Sequence, residues 1–169
     1  MKSSRYILTV LAKDKPGIVQ TISEVILANQ GSWIESSLSR LGGQFAGIIS
    51  INLPEESLND LKKGLAEIVA EGITVKLQSF DEENEYAGKP ATIYVEANDR
   101  VGIIDEISTV LADKNVNVEN LVSICESASM AGYDIFKAEI QVSLPKGVTI
   151  KRLEAALENV SDDLMVTIE

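Results

Sequence analysis

Two short turns in separate parts of the chain carry the same pattern: an aspartate, a basic residue, one variable position, a glycine and an isoleucine. They are Asp14-Lys15-Pro16-Gly17-Ile18 and Asp99-Arg100-Val101-Gly102-Ile103, the second preceded by Asn98. A glycine allows close approach to the backbone, and the first N–H groups of a helix lack partners within that helix. A helix start also carries partial positive charge. Each turn therefore predicts a site for a small carboxylate, with Asp14 or Asp99 placed to receive an ammonium group.

The same residues also have a structural interpretation. Aspartate is a good N-terminal helix cap, and glycine can serve tight packing of a helix on a sheet. Both interpretations stay open for either turn. When two such domains pair, the start of the second strand is the natural opposing wall of a site. Its polar side chains are Glu35 and Ser36 in the first half, and Asn117, Glu119 and Asn120 in the second.

The chain repeats itself around these turns. An apolar, β-prone run precedes each turn, at residues 6–12 and 91–97. Apolar residues then take helical spacing, as in Ile18, Ile22 and Ile26. In both halves there follow a strand, a hairpin, a third strand that ends in Leu-Pro, a helix that begins near Ser57 or Thr149, and a closing strand. The first hairpin is tight, with Gly42-Gly43 at its tip, and the second is longer.

The order strand, helix, strand, strand, helix, strand occurs twice, which is the split βαβ pattern. We therefore predict an α+β protein of two tandem ferredoxin-like βαββαβ domains, each a four-stranded antiparallel sheet with two helices on one face. The predicted first domain spans residues 1–80 and the second spans 91–169. Residues 81–90 form an acidic, turn-rich linker.

The composition excludes several classes of function. The formal charge is −11 and the chain has no histidine. Strong acidity disfavours direct binding of nucleic acid, and the lack of histidine removes the usual general base and every His-bearing zinc site. One cysteine, Cys125, allows no internal disulfide and fits a reducing compartment. No segment approaches the ~20 apolar residues of a membrane span. From these observations together, we expect a cytoplasmic, non-enzymatic protein without metal or cofactor.

A few other residues have a simpler interpretation. Cys125 is expected to be a buried or half-buried small side chain, and Trp33 a core or interface residue. The acidic run at 82–85 is expected to be solvated linker. Met130 and Tyr133 lie in the second hairpin, as a docking tip for a partner or as an unstructured loop.

Other proteins with this topology fit less well. An RNA-recognition motif needs aromatic residues on its third strand, whereas residues 44–51 are mainly aliphatic. A small ferredoxin-like hydrolase needs an anion cradle and a water-activating group, and neither is evident. A metal carrier of this fold needs Cys-x-x-Cys in its first loop, which is absent.

The turns at 14–18 and 99–103 resemble the signature of the ACT domain, a regulatory module that binds amino acids. The resemblance covers both halves. The chain further resembles the glycine cleavage system transcriptional repressor family through the 15–18 turn, the strand start at 34–37, the hairpin at 41–45 and Leu144-Pro145. It departs from that family at Val101 and in the second hairpin. The resemblance implies a glycine-like effector and a DNA-binding activator as protein partner.

Two hypotheses follow from these observations. In the first, the chain binds a small amino acid and modulates a partner. The partner that we expect is a transcriptional regulator of amino-acid metabolism. In the second, it is an ACT-type interaction module without ligand, or a regulatory subunit of a metabolic enzyme. Edge strands that pair across chains, and domains of marginal size, lead us to expect a homodimer.

Overall fold

A computed structural model describes residues 2–80, 88–127 and 132–169 of the chain. It divides into two compact units, Met1–Glu83 and Asn84–Glu169. Residues 81–87 of the predicted linker, with its acidic run, and Met130 in the second hairpin lie outside the described residues. Lys89 and Pro90, which the sequence placed in the linker, belong to a strand.

The first unit contains four strands and two α-helices in the predicted order. They are β1 (Ser3–Lys13), α1 (Ile18–Ala28), β2 (Ser32–Leu41), β3 (Gln44–Pro54), α2 (Leu58–Ala70) and β4 (Ile73–Ser79). A turn of 3₁₀ helix, Glu55–Ser57, leads into α2. Ser57 precedes α2 as predicted, but its side chain makes no capping hydrogen bond, because the residue already has helical backbone angles.

The second unit repeats the pattern. It consists of β5 (Lys89–Asn98), α3 (Ile103–Asp113), β6 (Asn117–Ser127), β7 (Asp134–Leu144), α4 (Ile150–Glu158) and β8 (Met165–Ile168). The helix α4 begins after Thr149, as predicted, and the Thr149 hydroxyl accepts a capping hydrogen bond from the backbone N–H of Arg152 at 3.4 Å.

Each unit forms one antiparallel sheet of four strands. The order is β2-β3-β1-β4 in the first and β6-β7-β5-β8 in the second. The first strand of each half therefore lies inside its sheet with a partner on both sides, while the second strand is at an edge. This confirms the predicted ferredoxin-like fold.

The core of the first unit lies between one face of the sheet and the two helices. Alternate residues of β1 point into it, namely Leu8, Val10 and Ala12, because side chains of a strand alternate between faces. From the helix side come Ile18, Ile22 and Ile26, one turn apart. Burial of each large aliphatic side chain contributes about 1.5–3 kcal/mol to folding.

Trp33 packs against the edge of that core, as predicted. The second core has the same plan, with alternate residues of β5 facing α3 and α4.

Two local features set the geometry of the edge strand in each half. Gly42 and Gly43 have φ values of 57° and 78°, as a two-residue hairpin turn requires, so the predicted tight hairpin is confirmed. In β2 the pairing register shifts between Trp33 and Glu35, and in β6 it shifts between Val118 and Asn120. These β-bulges occur at matching places and change which face the following residues occupy.

At Gly47 the backbone of β2 leaves no room for a side chain on β3. A Cβ at this residue would lie 2.1 Å from the carbonyl oxygen of Ser37 and 2.7 Å from the Cα of Leu38, both backbone atoms. We expect Gly47→Ala to lower the free energy of unfolding by about 2 kcal/mol or more, because the strands must separate to admit a methyl group. Urea unfolding followed by circular dichroism measures the change.

Gly64→Ala is the matched control. Its Cβ would lie 2.9 Å from Cγ1 of Val25, a side-chain atom, and alanine favours the helix interior by about 1 kcal/mol. We expect a net change within about 1 kcal/mol. Equal losses for the two variants would contradict the close approach at Gly47.

Candidate functional site: the turns after the first strand of each half

The first turn joins the end of β1 to α1. The backbone N–H of Asp14 donates to the Gly43 carbonyl at 2.9 Å, which ties the turn to the tip of the β2–β3 hairpin. Gly17 has φ +94°, in the left-handed region, and occupies the N-cap position of α1. Any other residue would be strained there, so the glycine is required by the backbone path itself. Space beside its Cα is open, with no atom within 4 Å of a Cβ built there.

A cavity of ≈ 290 Å³ lies against this turn. It is open to solvent and is lined by Asp14, Lys15, Phe45 and the start of α1 from Gly17 to Gln20. The first intrahelical hydrogen bond runs from Thr21 N–H to the Gly17 carbonyl, so the N–H groups of residues 18–20 precede the helical hydrogen-bond pattern. The volume is at the lower end of the ~300–1,000 Å³ typical of small-molecule pockets. The space suits a small ligand.

The charged residues of the first turn do not cap the helix. Asp14 is half-buried, and its Oδ2 accepts one long hydrogen bond from Arg40 Nη1 at 3.4 Å. No side chain caps α1, so the interpretation of Asp14 as a helix cap is wrong, because Gly17 takes that position three residues later. The Lys15 ammonium donates to the Glu71 carbonyl at the end of α2, at 3.3 Å, and Pro16 is exposed. The Asp14 carboxylate thus stands at the cavity wall, apart from the helix.

The second turn has the same backbone path. Gly102 has φ +92° and occupies the N-cap position of α3, again without a side-chain cap, so Asp99 is not a cap either. The backbone N–H of Asp99 donates to the Asp134 carbonyl at 2.8 Å, and that of Asn98 donates to Asp163 Oδ2 at 3.1 Å. Hydrogen bonds from the Ser161 hydroxyl and then from Asn98 lower the pKa of Asp163.

The charge at the second turn differs from that at the first. Arg100 forms a two-pronged ion pair with Glu106, with Nη1–Oε1 at 2.7 Å and Nη2–Oε2 at 2.5 Å. This hydrogen bonding lowers the pKa of Glu106 and raises that of Arg100. Asp105 and Glu106 both lie in the first turn of α3, whereas the first turn of α1 holds no acidic residue. Carboxylates of the chain itself therefore already occupy the positive end of α3.

Cys125 lies near the second turn and is exposed, so the expectation of a buried thiol is wrong. It belongs to β6, an edge strand whose residues 118–127 are all exposed. Loss of hydration, and then a hydrogen bond with Asp99, raises the pKa of the thiol.

Family models match both halves of the chain: one described as the ACT domain matches residues 4–78, and a second ACT domain model matches residues 91–158. The chain belongs to the ACT domain family. A search of curated proteins found no match. An unknown protein from Galdieria sulphuraria has a similar crystal structure, with 22% identity, 99% of this chain and 98% of that chain covered, and a TM-score of 0.84.

The crystal structure of a candidate glycine cleavage system transcriptional repressor is also similar. Identity is 15%, 100% of this chain and 98% of that chain are covered, and the TM-score is 0.72. At such identities, the likeness shows the fold alone. Among the described residues, no helix is long and apolar enough to cross a membrane.

The remaining predicted site residues of the first ACT domain lie far from its turn. Glu35 pairs with Ser50 across the strands, and Ser50 pairs with Ile7 of β1. Ile7 is seven residues before Asp14, which corresponds to roughly 23 Å along a strand. Ser36 is the neighbour of Glu35. Within one ACT domain, the start of β2 and the turn are therefore not brought together.

Glu35 has a partner that the sequence analysis missed. Arg5 forms an ion pair with Glu35, donates to Ser50 Oγ at 2.8 Å, and stacks over the Phe80 ring with 4.2 Å to its centroid. The available signal was an arginine at the start of an otherwise apolar strand.

The second ACT domain has the same separation. Asn117 pairs with Ser143 and Asn120 with Gln141, at the end of the sheet remote from Asp99. Asn117 Nδ2 donates to Glu119 Oε1 at 2.7 Å, so these two side chains satisfy each other.

The Arg100–Glu106 pair predicts a pH-dependent contribution to stability. The pKa of Glu106 is lowered in the folded state, so its stabilising effect is present above the usual carboxyl pKa and lost as pH falls through the lower, folded value. We expect Glu106→Gln to reduce the loss of stability between about pH 7 and about pH 3, measured by urea midpoint. Glu67→Gln, on the exposed side of α2, is the control. A variant as acid-sensitive as the wild type would contradict the assignment.

Proposed function

We propose that this protein senses a small amino acid at the first turn and modulates a partner protein, and that it is not an enzyme. The observation that carries the proposal is the ≈ 290 Å³ cavity, bounded by the helix start at Gly17 and by the half-buried carboxylate of Asp14. The ACT family and the similar repressor structure support a regulatory role. The effector is a glycine-like amino acid.

The two ends of an amino acid match the two sides of the cavity. Its carboxylate accepts hydrogen bonds from the N–H groups at the start of α1, where the helix dipole favours negative charge. Its ammonium group pairs with Asp14. Because Gly17 has no side chain, the carboxylate reaches the backbone without obstruction. Lys15 and Ile18 border the same space, and a small side chain fits the limited volume best.

The second wall of the site comes from a paired ACT domain. Glu35 and Ser36 are exposed near the start of an edge strand, so they can meet the turn of another domain, as Asn117, Glu119 and Asn120 can in the second half. A ligand held between two domains stabilises the paired state, because it binds that state better than the separated one. Binding thereby becomes a change of assembly that a partner detects.

The second turn is the weaker ligand site. Arg100 is engaged by Glu106, and the carboxylate of Asp105 at the start of α3 repels an incoming anion. Asn98, Asp99, Gly102 and Ile103 shape that turn, but we assign them to structure. This observation favours a second role for the second ACT domain, as an interaction module without ligand, of the kind found in regulatory subunits.

The partner is a protein, and a DNA-binding activator of amino-acid metabolism fits the similarity to the repressor structure. A net charge of −11 disfavours contact with DNA itself. A single free cysteine suits a reducing cytoplasm. We further propose that the chain acts as a homodimer.

A thermal-shift screen against the twenty amino acids tests the ligand. We expect glycine or another small amino acid to raise the melting temperature, because at a hundredfold excess over its dissociation constant a ligand stabilises the folded state by ~2.7 kcal/mol. Val19→Asp then tests whether the ligand binds in the cavity at the first turn. It introduces a carboxylate beside the cavity and leaves the helix favourably charged, so the variant should fold but lose the thermal shift.

Ile104→Asp is the matched control, since Ile104 follows Gly102 as Val19 follows Gly17. It should keep the thermal shift. Loss of the shift only in Ile104→Asp would move the site to the second turn, and silence towards all twenty amino acids would favour an interaction module.

The protein alone should not retard a promoter fragment in an electrophoretic assay at low salt, where non-specific binding is strongest. The physical reason is its acidic surface, which repels the phosphate backbone. The positive control is the same fragment with a basic, non-specific DNA-binding protein, which is expected to retard it. A clear, salt-sensitive shift by this chain alone would contradict a role through a protein partner.

A further inference from the structure

Each sheet has a face that its own helices do not cover. We call these the first open face, on the sheet of β1–β4, and the second open face, on the sheet of β5–β8. The pairing registers define both. Thr9, Ile48 and Lys76 form one row across the first open face, and Tyr94, Glu139 and Val122 form one row across the second.

The second open face exposes large apolar side chains beside its charged ones. Val122, Ile124 and Met165 are 61%, 56% and 62% exposed, and together with Tyr94 they border a groove of ≈ 520 Å³. The first open face also exposes apolar side chains, Leu11 at 50% and Ile48 at 51%. Several large apolar side chains exposed on one face indicate an interaction surface.

The two faces carry opposite charge. Arg5, Lys13 and Lys76 lie on the first open face with one carboxylate, Glu35, which gives 3 − 1 = +2. On the second open face Glu96, Glu126, Glu139 and Glu169 lie with one ammonium group, Lys137, which gives 1 − 4 = −3. Lys137 donates to Glu126 at 2.8 Å, and this leaves Glu96, Glu139 and Glu169 as the excess. Like faces repel, and unlike faces attract.

We propose that two copies of this chain associate head to tail, with the first open face of one copy packed on the second open face of the other. In a twofold dimer this contact is made twice. It uses the faces of the sheets and leaves the edge strands β2 and β6 available for edge-to-edge pairing. The proposal does not depend on the amino-acid site.

The area is sufficient for a stable dimer. A four-stranded face about 19 Å wide and 23 Å long covers roughly 440 Å². The four faces of a twofold dimer then total roughly 1,700 Å², against about 1,600 Å² for a standard specific interface. On the second open face the apolar side chains of the outer strands β6 and β8, with Tyr94, surround the charged side chains of β5 and β7. The apolar side chains supply the attraction, and the opposite charges select which faces meet.

Charge reversal of whole faces tests the pairing by sedimentation equilibrium. Wild type should be a dimer of the 18.3 kDa chain. Lys13→Glu/Lys76→Glu makes both faces negative, and Glu96→Lys/Glu139→Lys makes both positive. Each double variant should raise the dimer dissociation constant at least tenfold at low salt, and combining all four changes should restore it to within about threefold.

Matched controls reverse the same number of charges on the helices. They are Lys62→Glu/Lys151→Glu and Glu67→Lys/Glu158→Lys, all at exposed positions of α2 and α4. These should leave the dissociation constant unchanged. The rescue by four changes also shows that the double variants fold.

Three results would overturn the proposal. One is a wild-type protein that stays monomeric at about 100 µM, a concentration well above the dissociation constants of specific dimers. A monomer is also the result expected if another protein covers the second open face. Another is a dimer that the face variants and the helix controls affect equally. The third is a four-site variant that stays monomeric.

Discussion

Two helices can cover only one face of a four-stranded sheet, and this limit shapes the whole chain. Each half buries alternate residues of its inner strands beneath two helices, and leaves the opposite face and one long edge strand uncovered. The first strand must also leave the sheet abruptly to reach the helix layer, which it does through a left-handed glycine. The positions of the core, the glycine turn, the edge strand and the open face therefore all follow from the fact that two helices cover only one face of the sheet.

Much of the fold could be predicted because the relevant signals are local. Period-2 runs, helical spacing and the Gly42-Gly43 turn are each read from neighbouring residues, and their repetition along the chain made the order of elements unambiguous. The turns at Gly17 and Gly102 were found in the same way. Both glycines are required because their φ is positive, and a short sequence pattern alone does not determine the sign of φ.

The rest depends on contacts between distant parts of the chain. The pairing of Arg5 with Glu35 joins two strands that are not neighbours in the sheet. Cys125 looked buried because apolar residues flank it, but its strand is an edge. The charge of the two turns differs because Glu106 forms an ion pair with Arg100, and this contact depends on where α3 begins. No pattern along the sequence encodes these distances.

The matching β-bulges in β2 and β6 limit the aggregation of this protein through its edge strands. A long, regular edge strand is a template on which other chains can add without limit. The bulge between Trp33 and Glu35, and its counterpart between Val118 and Asn120, breaks the regular spacing of free N–H and C=O groups near the start of each edge. An incoming strand can follow only the part beyond the bulge. The fold can thus keep its edges open for a chosen partner while resisting growth into fibres.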